Sequence, residues 1–585
     1  MDHSVFELPD WHKALTLTER GLCGMPAGDE TLAELRLARW RGQETFASDG
    51  LFARRLALEG LTEPELCALL GEPAEALASR EPSPLPWLAT LIEAFTRPAP
   101  ERFPQGSPGF LDAFRPILDT AWSRLLEGIR SLEDRYPAAP FDAATATPLL
   151  AANLPRAVLP LVSRAMVAEL HIARHEGRLA GETPEERYQS FLDGLREPAQ
   201  VLAILRQYPV LARALVETVD RWVLVSLELL ERLARDMPRL AALFSDGVEP
   251  GPLVELRTGL GDPHRGNRTV SLFRFASGLR LVYKPKPVAV EAAFQRLLDW
   301  TIEKGFSPAF RTLRILDRGE YGWMEFAEAA PCPDEEAVRR FYLRQGGSLS
   351  LLWLLEATDF HRENLIAAGE HPILVDLEAL FDPQYQEPWQ KSVLNIGLLP
   401  SRIWREGGGE GVDLSGLTGA GGQTAPPVLQ PERMGTDEMR FEMKPVEIPA
   451  SDNLPTLNGE PLTVTRYTAE ILEGFQRMAA LLLEHRDELA APDGPLDAFA
   501  DVEVRVIVRP TRSYVLLLFE SFHPFFLTDA LDRDRLLDRL WLAVPEEPDL
   551  EQLIPAERRD LLKGDVPIFT TRPGTRDVWS SDGER

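Results

Sequence analysis

The sequence predicts an α+β protein, with a large helical N-terminal region leading into a two-lobed core of mixed strands and helices. Two observations predict it. Apolar residues recur every three or four positions through much of residues 1 to about 250. After Gly251 that period gives way to short alternating runs separated by turns. At 585 residues the chain is too long for one compact core, so two or three domains are expected. The composition shifts place boundaries at 1–250, 251–400, 401–460 and 461–585.

In the first segment, helical spacing is clear over Thr31 to Ala38, Pro160 to His175, Glu186 to Leu195 and Val210 to Arg235. Proline-rich breaks at Glu81 to Pro86 and Arg97 to Pro108 divide it. In the second segment, Val270 to Phe275 and Leu279 to Lys284 read as two strands joined through Ser277-Gly278. Val290 to Lys304 follows as a helix, Arg314 to Leu316 and Tyr321 to Phe326 as strands, and Glu335 to Glu356 as a long buried helix. Glu406 to Gly422 is glycine-rich and reads as a mobile loop, and Pro426 to Pro455 has many prolines and few regular runs. Tyr467 to Leu489 resumes a helix. Val502 to Phe519 alternates as a strand pair turning at Arg509-Pro510-Thr511-Arg512.

Behind the long helix stands Thr358-Asp359-Phe360-His361-Arg362-Glu363-Asn364, then the apolar run Ile373-Leu374-Val375 and Asp376-Leu377-Glu378. Phosphoryl transfer needs a carboxylate beside the acceptor hydroxyl and oxygen ligands for magnesium, and kinase-like folds supply them in this order. Asp359 is the candidate to orient that hydroxyl and accept its proton. Asn364 and Asp376 offer oxygens suited to Mg²⁺. The Asp-x-His-x-x-Asn form is that of lipid-kinase-like enzymes, so the core is expected to be a lipid-kinase-like, two-lobed one. Lys284, at a strand end, is placed to neutralise ATP phosphate oxygens, with Glu291 or Glu303 as its partner. His361 either polarises a phosphate or is held by backbone carbonyls, and Glu378 either assists the metal or follows the strand at the surface. Gly259 to Gly266 fits neither common phosphate-loop pattern; its glycines allow close backbone approach to phosphate, and a plain turn would be the default reading without its position ahead of Lys284. His171 and His175 are four apart on a predicted helix, but no third ligand is evident, and a solvated face explains them better.

Composition removes other classes. The net charge of −28 is wrong for a nonspecific nucleic-acid binder. Cys23, Cys67 and Cys332 are scattered and form no CxxC, so no disulfide framework is expected. No signal peptide and no apolar run long enough to span a bilayer is read, which makes the cytoplasm the simplest location. Only seven of the 63 basic residues are lysine, so a lysine inside a motif draws attention.

Taken together, Gly261-Asp262-Pro263-His264, Leu281-Val282-Tyr283-Lys284-Pro285, the Asp359 loop and Val375-Asp376-Leu377-Glu378 resemble the N-terminal dehydratase domain of class II lanthipeptide synthetases, the LanM family. Gly397 to Pro400, Asp413 to Leu417 and Arg505 to Thr511 extend the resemblance, as do Gly181 to Arg187 and Tyr208 to Arg213. It implies an enzyme that phosphorylates Ser and Thr of a ribosomal precursor peptide and then eliminates phosphate to give dehydroalanine and dehydrobutyrine. ATP, ADP and Mg²⁺ are the implied cofactors, and a precursor peptide with its leader the implied partner. By resemblance Lys284, Asp359, His361, Asn364 and Asp376 serve phosphorylation. Asp262, His264 and Glu378 match further active-site positions, and Arg505 and Thr511 match the pair associated with elimination. The helical 1–250 region then becomes a peptide-binding or kinase-support element, and 461–585 carries the elimination residues.

Some positions depart from the pattern. Asn267 stands where a glycine is common, Lys286 replaces the arginine common after Lys-Pro, and Ala379 stands where a threonine is common. Full-length synthetases continue into a zinc-dependent cyclase. The three scattered cysteines assemble no such site, so no zinc is expected, and either a stand-alone dehydratase with a separate cyclase or a fragment of a longer protein fits. Two alternatives stay open: a peptide kinase that stops at the phosphate, and a noncatalytic pseudokinase scaffold that binds the peptide.

Overall fold

The computed structural model describes residues 3–24, 26, 28–47, 50–80, 85–104, 109–383, 392–403, 411–419 and 421–585. Parts of both proline-rich breaks (81–84 and 105–108) and part of the glycine-rich loop (406–410 and 420) lie outside the described residues.

Helices dominate the first 250 residues, as their periodicity predicts. Three of them frame the rest: α1 (Arg115–Arg135), α2 (Leu154–His175) and α3 (Pro209–Phe244). Pro209 sits at the first turn of α3, where its missing N–H costs nothing. A stripe of Leu211, Leu215, Val219, Trp222, Leu229 and Leu233 along α3 is buried. The expected Glu186 to Leu195 helix forms as Pro184–Gly194, closed at its start by a reciprocal cap between Thr183 and Glu186.

Beyond α3 comes a five-stranded sheet: β1 (Leu253–His264), β2 (Arg268–Phe275), β3 (Arg280–Lys284), α4 (Ala289–Glu303), β4 (Ile315–Asp317) and β5 (Gly322–Glu325). Its order is β1-β2-β3-β5-β4 and every neighbouring pair is antiparallel. Phe273, Phe275, Tyr283 and Trp323 from the sheet share one core with Leu229, Leu230 and Leu233 of α3. A buried polar knot fixes the contact. Asp236 of α3 accepts from Tyr321 Oη at 2.7 Å and Trp323 Nε1 at 3.0 Å, and pairs with Arg318 at 3.0 Å. Arg232, one turn earlier, donates to Tyr283 Oη at 2.6 Å, beside Lys284. The strand that ends in Lys284 is thus tied to the helical region by hydrogen bonds as well as by apolar packing.

The second part of the core contains α5 (Glu335–Leu354), the hairpin of β6 (Leu365–Ala368) and β7 (His371–Leu374), the ribbon of β8 (Thr424–Glu432) and β9 (Arg440–Glu447), and α6 (Thr468–Glu484). Helices α5 and α6 cross closely. A Cβ on Gly346 would lie 2.0 Å from the Ile471 carbonyl oxygen, and one on Gly474 would lie 1.9 Å from that of Leu343. Only glycine permits that approach. The remaining elements are β10 (Val504–Val506), α7 (Thr511–Ser521), α8 (Ile554–Lys563), β11 (Phe569–Thr571) and β12 (Val578–Trp579). A further core joins Leu17, Trp40 and Leu66 to Tyr514, Trp541 and Leu561, so the two ends of the chain pack together. Among the described residues no helix is long and apolar enough to cross a membrane.

Three local expectations are corrected. The alternation over Val502 to Phe519 is not a strand pair. Strand β10 pairs with the distant β11, and Thr511 opens α7, whose Tyr514 and Leu518 are buried four residues apart. An unbroken apolar run satisfies either period, and the partner strand lies outside the window in which a hairpin is read. The Gly259 to Gly266 stretch is mainly strand rather than turn. Gly259 (φ +73°) and Gly261 (φ +93°) sit at two register shifts in β1 and adopt the positive φ that glycine accepts at little cost. Finally, part of Pro426 to Pro455 forms the β8–β9 ribbon, because a two-stranded ribbon consists of edges and tolerates proline.

Candidate active site

Lys284 ends β3 and is 4% exposed. Its ammonium donates to Glu291 Oε1 of α4 at 2.9 Å, to the Val375 carbonyl at 2.8 Å and to Asp376 Oδ1 at 3.1 Å. The partner is therefore Glu291, and Glu303 stays on the exposed side of α4. Glu291 is fully buried, and its Oε2 has no hydrogen-bond partner. Truncating one member of such a pair strands the other charge, at about 3–5 kcal/mol. Lys286 follows two residues later. It meets the same Asp376 Oδ1 at 3.0 Å and also pairs with Glu378. Burial works to raise the Asp376 carboxyl, but Lys284 and Lys286 outweigh it and hold it below the ordinary carboxylate range. Glu378 is held down likewise, with Lys286 and Arg505 overcoming burial.

Asp359 lies at the mouth of this cluster with φ +65°, a left-handed backbone unusual for a non-glycine residue. Neighbouring segments impose it. Thr358 N–H donates to the Ala379 carbonyl at 2.9 Å, Phe360 N–H to Ile396 at 2.9 Å and Arg362 N–H to Leu414 at 3.0 Å. His361 forms a backbone bridge with Ser415. The Gly397 and Asp413 motifs, which carry no role in the sequence reading, thus border the segments that hold this loop. Withdrawal from water raises the Asp359 carboxyl. His361 and Arg505 oppose the rise, and Glu378 and Asp376 add to it. The Asn364 side-chain N–H donates to the Asp359 carbonyl at 2.9 Å, which leaves the Asn364 amide oxygen as an acceptor. The His361 ring receives the Glu363 N–H at Nδ1, 3.3 Å away.

The opposite wall comes from β10. Arg505 donates through Nη1 to Glu378 Oε1 at 2.7 Å and through Nη2 to Thr511 Oγ1 at 3.1 Å, and its backbone N–H reaches the Glu378 carbonyl at 2.6 Å. Glu378 therefore bridges Lys286 on one side and Arg505 on the other. His264, at the end of β1, lies 2.7 Å through Nδ1 from the Val566 carbonyl. A carbonyl only accepts, so Nδ1 carries the proton and Nε2 keeps its lone pair. Burial and Arg505 both push the His264 pKa down, against smaller opposing effects from the Val566 carbonyl, Glu378 and Asp262.

All ten residues singled out from sequence belong to one connected group of contacts and charges. Hydrogen bonds or ion pairs join Lys284, Asp376, Glu378, Arg505 and Thr511 into a chain through Lys286. Asn364 reaches Asp359 and His361 acts on it, while Arg505, Glu378 and Asp262 act on His264. By contrast, His171 is occupied by the Met439 carbonyl, 2.8 Å from its Nε2. Among the described residues no group of three or more His, Cys, Asp or Glu could hold a metal.

Sequence reasoning missed two groups. Lys286 had been noted only as a departure from the family pattern, although its membership of a set of seven lysines was a signal. Asp565 gave no signal. Its carboxylate receives the Gly266 N–H at 2.6 Å and the Asn267 N–H at 2.8 Å, while Val566 N–H donates to the Pro263 carbonyl at 2.9 Å. The β1–β2 tip is thereby clamped to the segment after α8, and Asp262 and His264 with it. Asp565→Ala should free that tip, leaving two amides without an acceptor and costing about 1–3 kcal/mol. Hydrogen exchange followed by mass spectrometry should show faster exchange over 264–268 and unchanged exchange over β3. Uniform acceleration in both would mean that no separate clamp exists.

With this geometry in view, comparisons with known proteins fix the class. A family model described as a domain of unknown function, DUF4135, matches residues 208–572, more than half of the chain, and the chain belongs to that family. Among curated proteins it is similar to the lacticin 481/lactococcin biosynthesis protein LcnDR2 of Lactococcus lactis subsp. lactis, with 23% identity over 457 residues. The match covers 73% of this chain and 48% of that protein, so the chain spans about half the length of the curated relative it matches. The LanM resemblance read from the motifs is thus matched by similarity over most of the chain, which is LanM-like.

Proposed function

We propose that the protein acts in lanthipeptide maturation as a dehydratase with a lipid-kinase-like core. In this reading it phosphorylates Ser and Thr of a precursor peptide and then eliminates the phosphate. The observation that carries the reading is the continuous run of charge from Lys284 through Asp376, Lys286 and Glu378 to Arg505 and Thr511. That run supports a reading in which the groups suited to phosphoryl transfer work beside those suited to expelling phosphate. A kinase that stopped at the phosphate would have no use for the second half of that run.

The side chains fit the implied nucleotide and metal. Lys284 offers a buried, charged ammonium, Asp376 a carboxylate beside it and Asn364 an amide oxygen, with Val375 N–H bonded to the Asn364 carbonyl at 3.1 Å. Two protein ligands are the usual complement for magnesium that keeps phosphates and waters in its shell. Magnesium-bound ATP would supply the phosphoryl group. Lys284 would then hold phosphate oxygens, and Asp359 would orient the acceptor hydroxyl and take its proton. For elimination, Arg505 and Thr511 would grip the departing phosphate. His264 Nε2, with its tautomer fixed by Val566, would accept the α-proton.

Incubating purified protein with precursor peptide, ATP and Mg²⁺ tests the reading. Mass spectrometry should show loss of water at Ser and Thr. Phosphate addition without water loss would instead favour the kinase alternative, and nucleotide binding without turnover the scaffold.

The His264 environment also sets a pH dependence. A base must be unprotonated, and burial beside Arg505 lowers its pKa below the usual 6.5. The neutral form therefore persists into more acidic solution. Elimination from a pre-phosphorylated peptide should fall to half its plateau only at a pH below 6.5. A half-maximal point at or above that value would remove His264 from the role.

A further inference from the structure

A basic pocket of about 250 Å³ lies where the N-terminal segment, α3 and α8 meet. Arg213, Arg221, Arg533, Arg559 and Lys563 line it, against only Glu19 and Glu217. Both of those glutamates are engaged by Arg213, at 2.7 and 2.8 Å. Lys563 and Arg559 pair outward with Asp582 and Glu584. Arg533 differs from these. It is 5% exposed, its terminal nitrogens donate to the Leu561 and Leu562 carbonyls at 3.1 and 3.2 Å, and its buried Nε has no partner. Arg221 also has a buried Nε without a partner, and neither arginine makes an ion pair among the described residues. Burial pushes the Arg533 pKa down to about 10. Asp534 and Glu217 pull it back, while Arg213 and Arg221 add to the fall. Two arginines, each with an unused buried donor, thus face each other's charge in a chain whose net charge is −28. Such a pair is short of an anion.

The pocket is not closed. Leu161, Thr218, Arg221, Phe522, Lys563 and Gly564 also line a second cavity of about 380 Å³. That cavity runs past Trp222 and the exposed Arg156 to Gly259, Gly261 and Pro263 of β1, the strand that carries Asp262 and His264. A free ion would fill only the basic end. The second cavity's two carboxylates are already engaged, Glu228 by Arg232 and Arg268 and Asp565 by the Gly266 and Asn267 amides. A trough with apolar walls at Leu161, Trp222 and Phe522 therefore suits an extended chain with alternating apolar and acidic side chains.

We propose that this trough docks an acidic, extended segment of the peptide substrate, with one carboxylate seated between Arg221 and Arg533 and the chain leading toward the β1–β2 hairpin. The proposal rests on the reading that the substrate is a peptide. It adds a docking surface outside the catalytic cleft.

Fluorescence anisotropy with the full chain and no nucleotide tests it. The probe is a labelled peptide of alternating glutamate and leucine, and the control is the same peptide with glutamine for glutamate. The acidic probe should bind at least about tenfold more tightly than the control, and Arg221→Glu should remove at least about tenfold of that affinity. Arg486→Glu, at an exposed arginine beyond α6, should leave it unchanged. Arg156→Glu, at an exposed position in the same trough, should weaken binding too and serves if Arg221→Glu does not fold. Equal binding of the glutamine peptide, or equal loss on Arg486→Glu, would overturn the proposal. Displacement of the probe by an equimolar amount of inorganic phosphate would also overturn it, by making the pocket a free-oxyanion site. Because the assay contains no ATP, failed docking and failed dehydration are separate results.

Discussion

Asp359→Asn is expected to leave the precursor peptide unmodified, with phosphorylation slowed by about 10²–10⁴-fold, the usual contribution of a positioned general base. The substitution keeps the size of the side chain. The left-handed backbone at Asp359 is held by hydrogen bonds from the adjoining Thr358, Phe360 and Arg362 amides, and the Asn364 side chain bonds the Asp359 carbonyl, so the loop should persist. What disappears is an acceptor for the hydroxyl proton. Neither phosphate addition nor water loss should appear by mass spectrometry from unmodified peptide. A peptide phosphorylated in advance should still lose phosphate, because Arg505, Thr511 and His264 are untouched. Normal dehydration of unmodified peptide by this variant would remove Asp359 from the chemistry.

Arg505→Ala is expected to have the opposite signature, accumulating phosphopeptide while water loss falls by about 10²–10³-fold, as when one preorganised charge stabiliser is removed. Glu378 loses its 2.7 Å partner but keeps Lys286, so the Lys284–Asp376 side should remain assembled. Arg505→Lys should recover only part of the loss, since lysine cannot present two donors in a fixed plane to Glu378 and Thr511. Mass spectrometry over time distinguishes the states directly. Unimpaired dehydration by Arg505→Ala would show that elimination uses other groups.

The core of the site was legible because its residues lie in short, local patterns. Asp359, Asn364 and Asp376 fall within one loop and hairpin, and Lys284 ends a strand with clear alternation. The contacts that were not legible depend on chain far away. Arg505 reaches Glu378 across 127 positions, and its strand pairs with Phe569–Thr571 rather than with a neighbour. Asp565 clamps Gly266 from 299 positions away. The fit of α5 against α6 was equally hidden, since nothing local marks Gly346 and Gly474 as contact points. Lys286 was visible but lay between two prolines, where its direction could not be read.

From its sequence alone, this chain determines where its helices and most of its strands run, because apolar period and capping act over a few residues. It also marks which side chains are candidates for phosphoryl chemistry, because their order is encoded in short local patterns. Only the tertiary structure decides that Glu378 links Lys286 to Arg505, that Asp565 holds the hairpin and that Arg221 and Arg533 share a pocket. The reason is physical. Buried charges are stable only when partners from distant segments arrive together, and that condition is set by packing the whole chain, with no local sequence signal to announce it.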